Sequence, residues 1–241
     1  YLIPTVAGLV YFARSKGTMF FTKPKLKWAV IGEICFNGSS EMVSQLATAV
    51  TTFLFNRTMM NLLGENGVAA ITIIIYSQFL LNTLYIGYSM GIAPIIGFNY
   101  GNRNDVQQKR VFSISMRFIG LASVLIFSIS MFGGSNIVRL FADDTSEVYQ
   151  IAANGFTIFS YSFLFCGLNN FTTAMFTALS NGKVSAVLSF LRTFGLLAGG
   201  ILLLPHIWGI TGVWLAVPVA EGIMFVVSTI CLIHYKKKYS Y

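Results

Sequence analysis

Apolar residues run in blocks too long for a water-facing helix or strand, and short polar gaps separate the blocks. Six blocks reach the roughly 20 residues that a helix needs to cross a hydrocarbon core of about 30 Å. They are residues 36–62, 67–97, 111–133, 151–179, 185–205 and 212–235. A further apolar stretch, Tyr1–Phe12, is too short to span and has neither a basic n-region nor a small-residue cleavage site, so it is not a signal peptide. It opens without Met, which leads us to expect the end of a helix whose start is missing. The pattern predicts an all-α integral membrane protein, a six-helix transmembrane bundle. Its expected organisation is the end of a truncated transmembrane helix at 1–13, a basic cytoplasmic linker at 14–30, the six-helix unit at 31–235 and a basic cytoplasmic tail at 236–241.

Composition sharpens this reading. Only 10% of the 241 residues are charged and 55% are hydrophobic, against about 25% charged in a soluble domain, so lipid must be the solvent for most of the surface. Soluble enzymes, disulfide-framed secreted domains and disordered tails are excluded on that ground. The net charge of +8 is a topology signal: twelve of the sixteen basic residues fall in alternate gaps, at Arg14, Lys16, Lys23, Lys25 and Lys27, at Arg103, Lys109 and Arg110, at Lys183, and at Lys236, Lys237 and Lys238. Those gaps are expected to be cytoplasmic by the positive-inside rule, with the C-terminus inside, and their charge to meet anionic lipid, not nucleic acid. Trp28, Trp208 and Trp214 lie near the expected interfaces, where anchoring aromatics belong.

Cys35, Cys166 and Cys231 are odd in number and widely spaced, and His206 and His234 are isolated, so neither a disulfide framework nor a three-ligand metal site is expected. No phosphate-cradling or hydrolytic motif occurs, so the expected protein is not an enzyme and has no cofactor. The polar residues within the spans carry the chemistry. Glu41, Gln45, Thr48, Thr52 and Asn56 recur at intervals of 4, 3, 4 and 4 and form one stripe on the first span. A carboxylate on such a stripe, Glu41, is a candidate ion or proton site. Gln78, Asn82, Tyr85 and Ser89 in the second span, and Ser162, Asn169 and Thr173 in the fourth, are positioned either to line a shared cavity or to bond helix to helix. Glu221, about 12 Å from the outer end of the last span, needs a partner or a proton, and Arg192 is the nearest cation in sequence. A static ion pair and a proton-linked switch are both open to that pair. Gly87 and Gly91, Gly97 and Gly101, and Gly195 and Gly199 are spaced for close helix packing, and Pro94 and Pro218 for bends.

Three segments carry a family likeness: Asn37-Gly-Ser-Ser-Glu41 leading to Phe55-Asn56; the run from Met90 through Gly91, Pro94 and Gly97 to Gly101, followed by a basic loop; and Ser189-Phe-Leu-Arg192 through Gly209-Ile-Thr-Gly212 to Pro218-Val-Ala-Glu221. Together they resemble the C-terminal half of multidrug and toxic compound extrusion (MATE) transporters, in the MepA-like branch, over residues 1 to 235. The resemblance implies one lobe of a two-lobed, twelve-helix antiporter in the plasma (inner) membrane. Its partners would be the missing N-terminal lobe, the bilayer, small amphiphilic cationic drugs and Na⁺ or H⁺ as coupling ion, with export by rocker-switch alternating access. It assigns cation coupling to Glu41. Some relatives pair that glutamate with an aspartate in the fourth span, where this chain has Asn169 and Asn170. Two other readings are a lipid-linked oligosaccharide or polysaccharide flippase half, and a non-transporting scaffold or channel half.

The charge pattern makes a direct prediction. In a cysteine-free background, Asn104→Cys is expected to resist membrane-impermeant thiol reagents in intact cells and Thr145→Cys to react. The reverse pattern would overturn the orientation.

Overall fold

The computed structural model describes residues 2–13 and 27–241, the side chains of 2–4, 7, 36, 37, 39–41, 43 and 44 apart. Every regular element among them is helical: α1 (Leu2–Ala13), α2 (Trp28–Gly101), α3 (Asp105–Arg139), α4 (Glu147–Phe159), α5 (Phe163–Ala178), α6 (Gly182–Phe190) and α7 (Gly199–Tyr239). A 3₁₀ turn, Ser160–Ser162, joins α4 to α5, and a π-helical segment, Leu191–Ala198, joins α6 to α7. Two compact units divide at Cys35 and Phe36. The first holds α1 and the opening turns of α2; the second holds the bundle. Most of the expected basic linker, through residue 26, lies outside the described residues.

A straight helix of 74 residues would run roughly 110 Å, far beyond a bilayer's hydrocarbon core. α2 avoids this at Gly64, whose φ of 62° and ψ of −147° are open essentially only to glycine. A Cβ built on Gly67 would sit 2.6 Å from Leu63 Cβ and 2.9 Å from the carbonyl oxygen of Met59. In a straight helix residues eight apart are separated by about 12 Å, so the chain has doubled back. α7 repeats the device at Gly209 (φ 57°, ψ −133°), and a Cβ on Gly212 would collide with the Leu204 carbonyl. Among the described residues four helical stretches are long and apolar enough to cross a membrane, and the two reversals make them six spanning segments, the bundle expected from the pattern. Pro94, Pro205 and Pro218 remain inside helices, and the non-helical positions recorded there are the two glycines.

The turns after Gly101 and after Leu179 share one construction. Arg103 and Ser180 take the left-handed conformation, with φ of 53° and 55°. The next residue, Asn104 or Asn181, bonds back to the carbonyl five residues earlier and caps the following helix with its side-chain oxygen. At the opposite end of the bundle Asn66 donates to Glu147 at 2.7 Å, Arg139 pairs with Asp144 at 2.9 Å, and the Thr145 N–H and hydroxyl hold the Asp143 carboxyl below its usual range.

The interior divides into two apolar clusters. One contains Phe55, Met59, Ile71, Ile74, Phe156, Phe159 and Trp214; the other contains Ile119, Phe171, Phe176, Leu188, Met224 and Leu232. Trp214, expected at an interface, is instead 3% exposed, because Gly155 opposite it leaves room for the indole. Trp28 and Trp208 are exposed. The expected small-residue contacts are also redistributed. A Cβ at Gly97 would come within 3.2 Å of the Ala178 carbonyl, but one at Gly87, Gly91, Gly101 or Gly199 would meet nothing within 4 Å, and one at Gly195 would meet only Leu191 on its own helix. Close approach falls on Gly134, Gly155 and Gly167, which face Phe156, Trp214 and Tyr85.

Gly155→Ala is expected to destabilise the bundle by about 1–3 kcal/mol, since its methyl would overlap the Trp214 ring. Thermal unfolding in detergent checks this, with Gly87→Ala as the control that should shift little.

Candidate functional site

Among the described residues one carboxylate is buried, that of Glu221, which projects from α7 where the two apolar clusters meet. Val217 ends one cluster on this helix and Met224 begins the other; on α5 the same boundary falls between Cys166 and Leu168. A lone carboxylate there would cost several kcal/mol. Each of its oxygens is therefore occupied. Arg192 donates to Oε1 through Nε at 2.8 Å and Nη2 at 2.7 Å, and Asn169 Nδ2 donates to Oε2 at 2.7 Å and to the Glu221 carbonyl at 3.0 Å. The neighbours are bonded in turn: Ser228 donates to Asn169 Oδ1 at 2.9 Å, and Arg192 Nη1 donates to Asn170 Oδ1 at 2.7 Å. The side chains of Glu221 and Arg192 are 7% and 20% exposed. Cys166 adjoins Glu221.

Arg192 owes its position to the backbone. It lies in the π-helical segment, where bonds close over five residues instead of four. Each such turn takes in one more residue than an α turn, which rotates the flanking helix by about 100°. The segment thus sets the rotation between α6, with Ser185 and Leu188 buried, and α7, with Ile201 buried. The 3₁₀ turn opposite is bound in as well: Tyr85 donates its hydroxyl to the Phe163 carbonyl at 2.9 Å, and Ser130 and Ser160 share a hydrogen bond of 2.6 Å.

The other polar residues separate into two groups. Tyr85 and Asn169, 1% and 0% exposed, lie inside the packed bundle, and Thr173 bonds the Asn169 carbonyl on its own helix. Gln45 and Thr48 are exposed on the first arm of α2, and Thr52, Asn56, Gln78 and Asn82 are half-buried. The Oδ1 atoms of Asn56 and Asn82 and the Ser89 hydroxyl are buried without a hydrogen-bond partner. The side chain of Glu41 lies outside the described residues. Among the described residues no three His, Cys, Asp or Glu side chains come together as a metal site. Ser228 was not singled out in the sequence, although its spacing of seven from Glu221 places both on one helix face.

With this geometry in place, comparison with known proteins is decisive on one point. The MatE family model matches residues 42–198. The chain belongs to the MatE family. No curated protein matches it. Solved structures with the same fold include the MATE multidrug transporter DinF-BH, solved as a complex, at 24% identity and a TM-score of 0.84, over 97% of this chain and 53% of that one. A Vibrio cholerae MATE transporter matches at 19% identity and a TM-score of 0.82, over 98% and 52%. A MOP superfamily transporter from Pyrococcus furiosus, described as having a binding pocket of reverse polarity that suggests a different function, matches at 18% identity and a TM-score of 0.81, over 96% and 54%. This MatE chain spans just over half the length of each. MatE proteins are transporters, and this one is a multi-pass membrane protein.

Removing either member of the Arg192–Glu221 pair leaves a buried unpaired charge, so Arg192→Met or Glu221→Leu alone is expected to cost about 3 kcal/mol or more. The double variant should cost less than the two added together. Additive losses in equilibrium unfolding would show that the pair contributes no coupling.

Proposed function

We propose that this chain is the C-terminal lobe of a cation-coupled multidrug efflux antiporter, which exports amphiphilic organic cations from the cytoplasm as Na⁺ or H⁺ enters. The observation that carries the reading is the polar stripe on the first arm of α2. Gln45 and Thr48 stand exposed on that arm, a polar surface that lipid tails solvate poorly. A second lobe facing them across a hydrated cleft would keep that polar surface in water. The match of this chain to about half of each solved transporter supports that arrangement. Exposed Phe53 and Met60 on the same arm are adaptable apolar surface for a flat cationic drug.

Alternating access by rocking requires each lobe to move as a rigid body. The Arg192–Glu221–Asn169 network meets that need, because it ties α5, the π segment and α7 together at the level where the two apolar clusters join. Coupling requires a different kind of group, a carboxylate that water and ions can reach. Glu41 is assigned that role: it opens the polar stripe, and binding of H⁺ or Na⁺ would neutralise a charge that is costly within the membrane. Drug and ion would then compete for one cleft, each favouring the conformation in which it leaves.

The test uses a two-lobed transporter that carries this chain as its second half, in proteoliposomes with an imposed Na⁺ or H⁺ gradient. Glu41→Gln is expected to slow gradient-driven movement of a fluorescent organic cation by about tenfold or more, equivalent to about 1.4 kcal/mol on the barrier, with drug binding preserved. Unchanged gradient dependence would move the coupling site to the other lobe. Failure of the unaltered protein to move any organic cation under either gradient would reject the antiporter reading.

A further inference from the structure

At the end of the bundle that carries the basic turns, the α2–α3 turn and the C-terminal end of α7 enclose a cavity of about 260 Å³. Its wall includes Asn99, Arg103, Asp105, Gln108 and Lys238. Arg103 and Lys238 are both exposed, and among the described residues neither lies within 4 Å of a carboxylate. The Lys238 ammonium is held over the rings of Tyr235 and Tyr239, 5.7 and 5.2 Å from their centroids, contacts that provide no counter-anion. Gln108 differs in kind: it is 3% exposed, and its Oε1 has no hydrogen-bond partner. A buried acceptor left open costs about 1–3 kcal/mol. The C-terminal wall is well held, since Tyr241 donates to the Leu232 carbonyl at 2.8 Å and packs on Phe112.

From this combination we infer a binding site for a phosphodiester that carries free hydroxyls, the headgroup chemistry of phosphatidylglycerol. Two cations facing one carboxylate, Asp105, leave a single positive charge, which matches a monoanionic phosphodiester better than a dianionic phosphomonoester. The phosphate oxygens take the guanidinium and ammonium donors, beside the N-terminal end of α3 with its positive dipole. The hydroxyls donate to Gln108 Oε1 and to the Asp105 carboxylate, acceptors that a fully ionised phosphate or a choline headgroup cannot use. The cavity equals roughly eight or nine waters of liquid volume, enough for a headgroup while the acyl chains stay in the bilayer. Its place fits as well: Gly101, Asp105 and Tyr239 are the ends of membrane-length helices, where headgroups lie.

The test is lipid retention by the purified full chain, read by native mass spectrometry in detergent and by thermal stability in nanodiscs of phosphatidylcholine doped with a second lipid. Phosphatidylglycerol is expected to be retained about tenfold more strongly than phosphatidic acid or phosphatidylcholine, and each charge-assisted contact should be worth about tenfold. Arg103→Gln with Lys238→Gln should abolish the preference, and Lys238→Arg should keep it. Gln108→Leu should lower retention of phosphatidylglycerol toward that of phosphatidic acid, leaving the latter unchanged. Unfolding profiles establish that each variant is folded. Soluble glycerol 1-phosphate forms a separate arm: stabilisation by it alone would make a free metabolite the ligand, and stabilisation only by the lipid would make it a headgroup site. Equal retention of phosphatidylglycerol and phosphatidylcholine, or a preference that survives the double variant, would overturn the proposal.

Discussion

A carboxylate set among apolar helices governs the rest of this bundle. Glu221 is 5% exposed, so its carboxylate needs donors built around it. Arg192, Asn169 and, one bond further out, Ser228 and Asn170 are those donors, and they come from α5, the π segment and α7. Three helical stretches are thereby fixed in mutual rotation. The irregular backbone between α6 and α7 follows from this, because the guanidinium must lie over Glu221 while the residues before and after it bury different apolar faces.

The network also accounts for the divided core. Apolar packing between membrane helices gains little from the hydrophobic effect when lipid is the alternative, so shape and hydrogen bonding decide which faces meet. On one side of the polar layer and at its boundary, close contacts of glycine with an aromatic ring specify the fit: Gly155 with Trp214 and Gly134 with Phe156 in one cluster, and Gly167 with Tyr85 at the boundary. A bundle locked this way would suit the rocking motion proposed above. The groups proposed to meet ions and drugs lie on a different surface, the polar stripe of α2.

A second polar system lies at the end of the bundle. The cavity at the α2–α3 turn joins two exposed cations to a buried acceptor, and its proposed occupant would tie the turn to the end of α7. Stability of the bundle and the transport proposed for it would then respond to different chemistry, lipid headgroups for one and ion gradients for the other.

Much of the fold was legible in the sequence, because a bilayer imposes a length and a polarity on every segment that crosses it. The six apolar blocks, and the short gaps that contain Gly64 and Gly209, follow from that constraint alone. The likeness of the Met90–Gly101 run and of the segment around Glu221 to MATE transporters pointed to the family that the MatE match then established. Which face each residue presents was not legible, since hydrophobicity does not distinguish lipid from a neighbouring helix. Trp214 has the composition of an interfacial anchor and is buried because Gly155 makes room for it; the regularly spaced Gly87 and Gly91 meet nothing, while the isolated Gly155 and Gly167 do. The pairing of Arg192 with Glu221 was open in the sequence as one of two readings for residues 29 apart. It became a defined contact only through the π segment, a change in backbone winding that depends on tertiary packing and has no signature in the local pattern of apolar and polar residues.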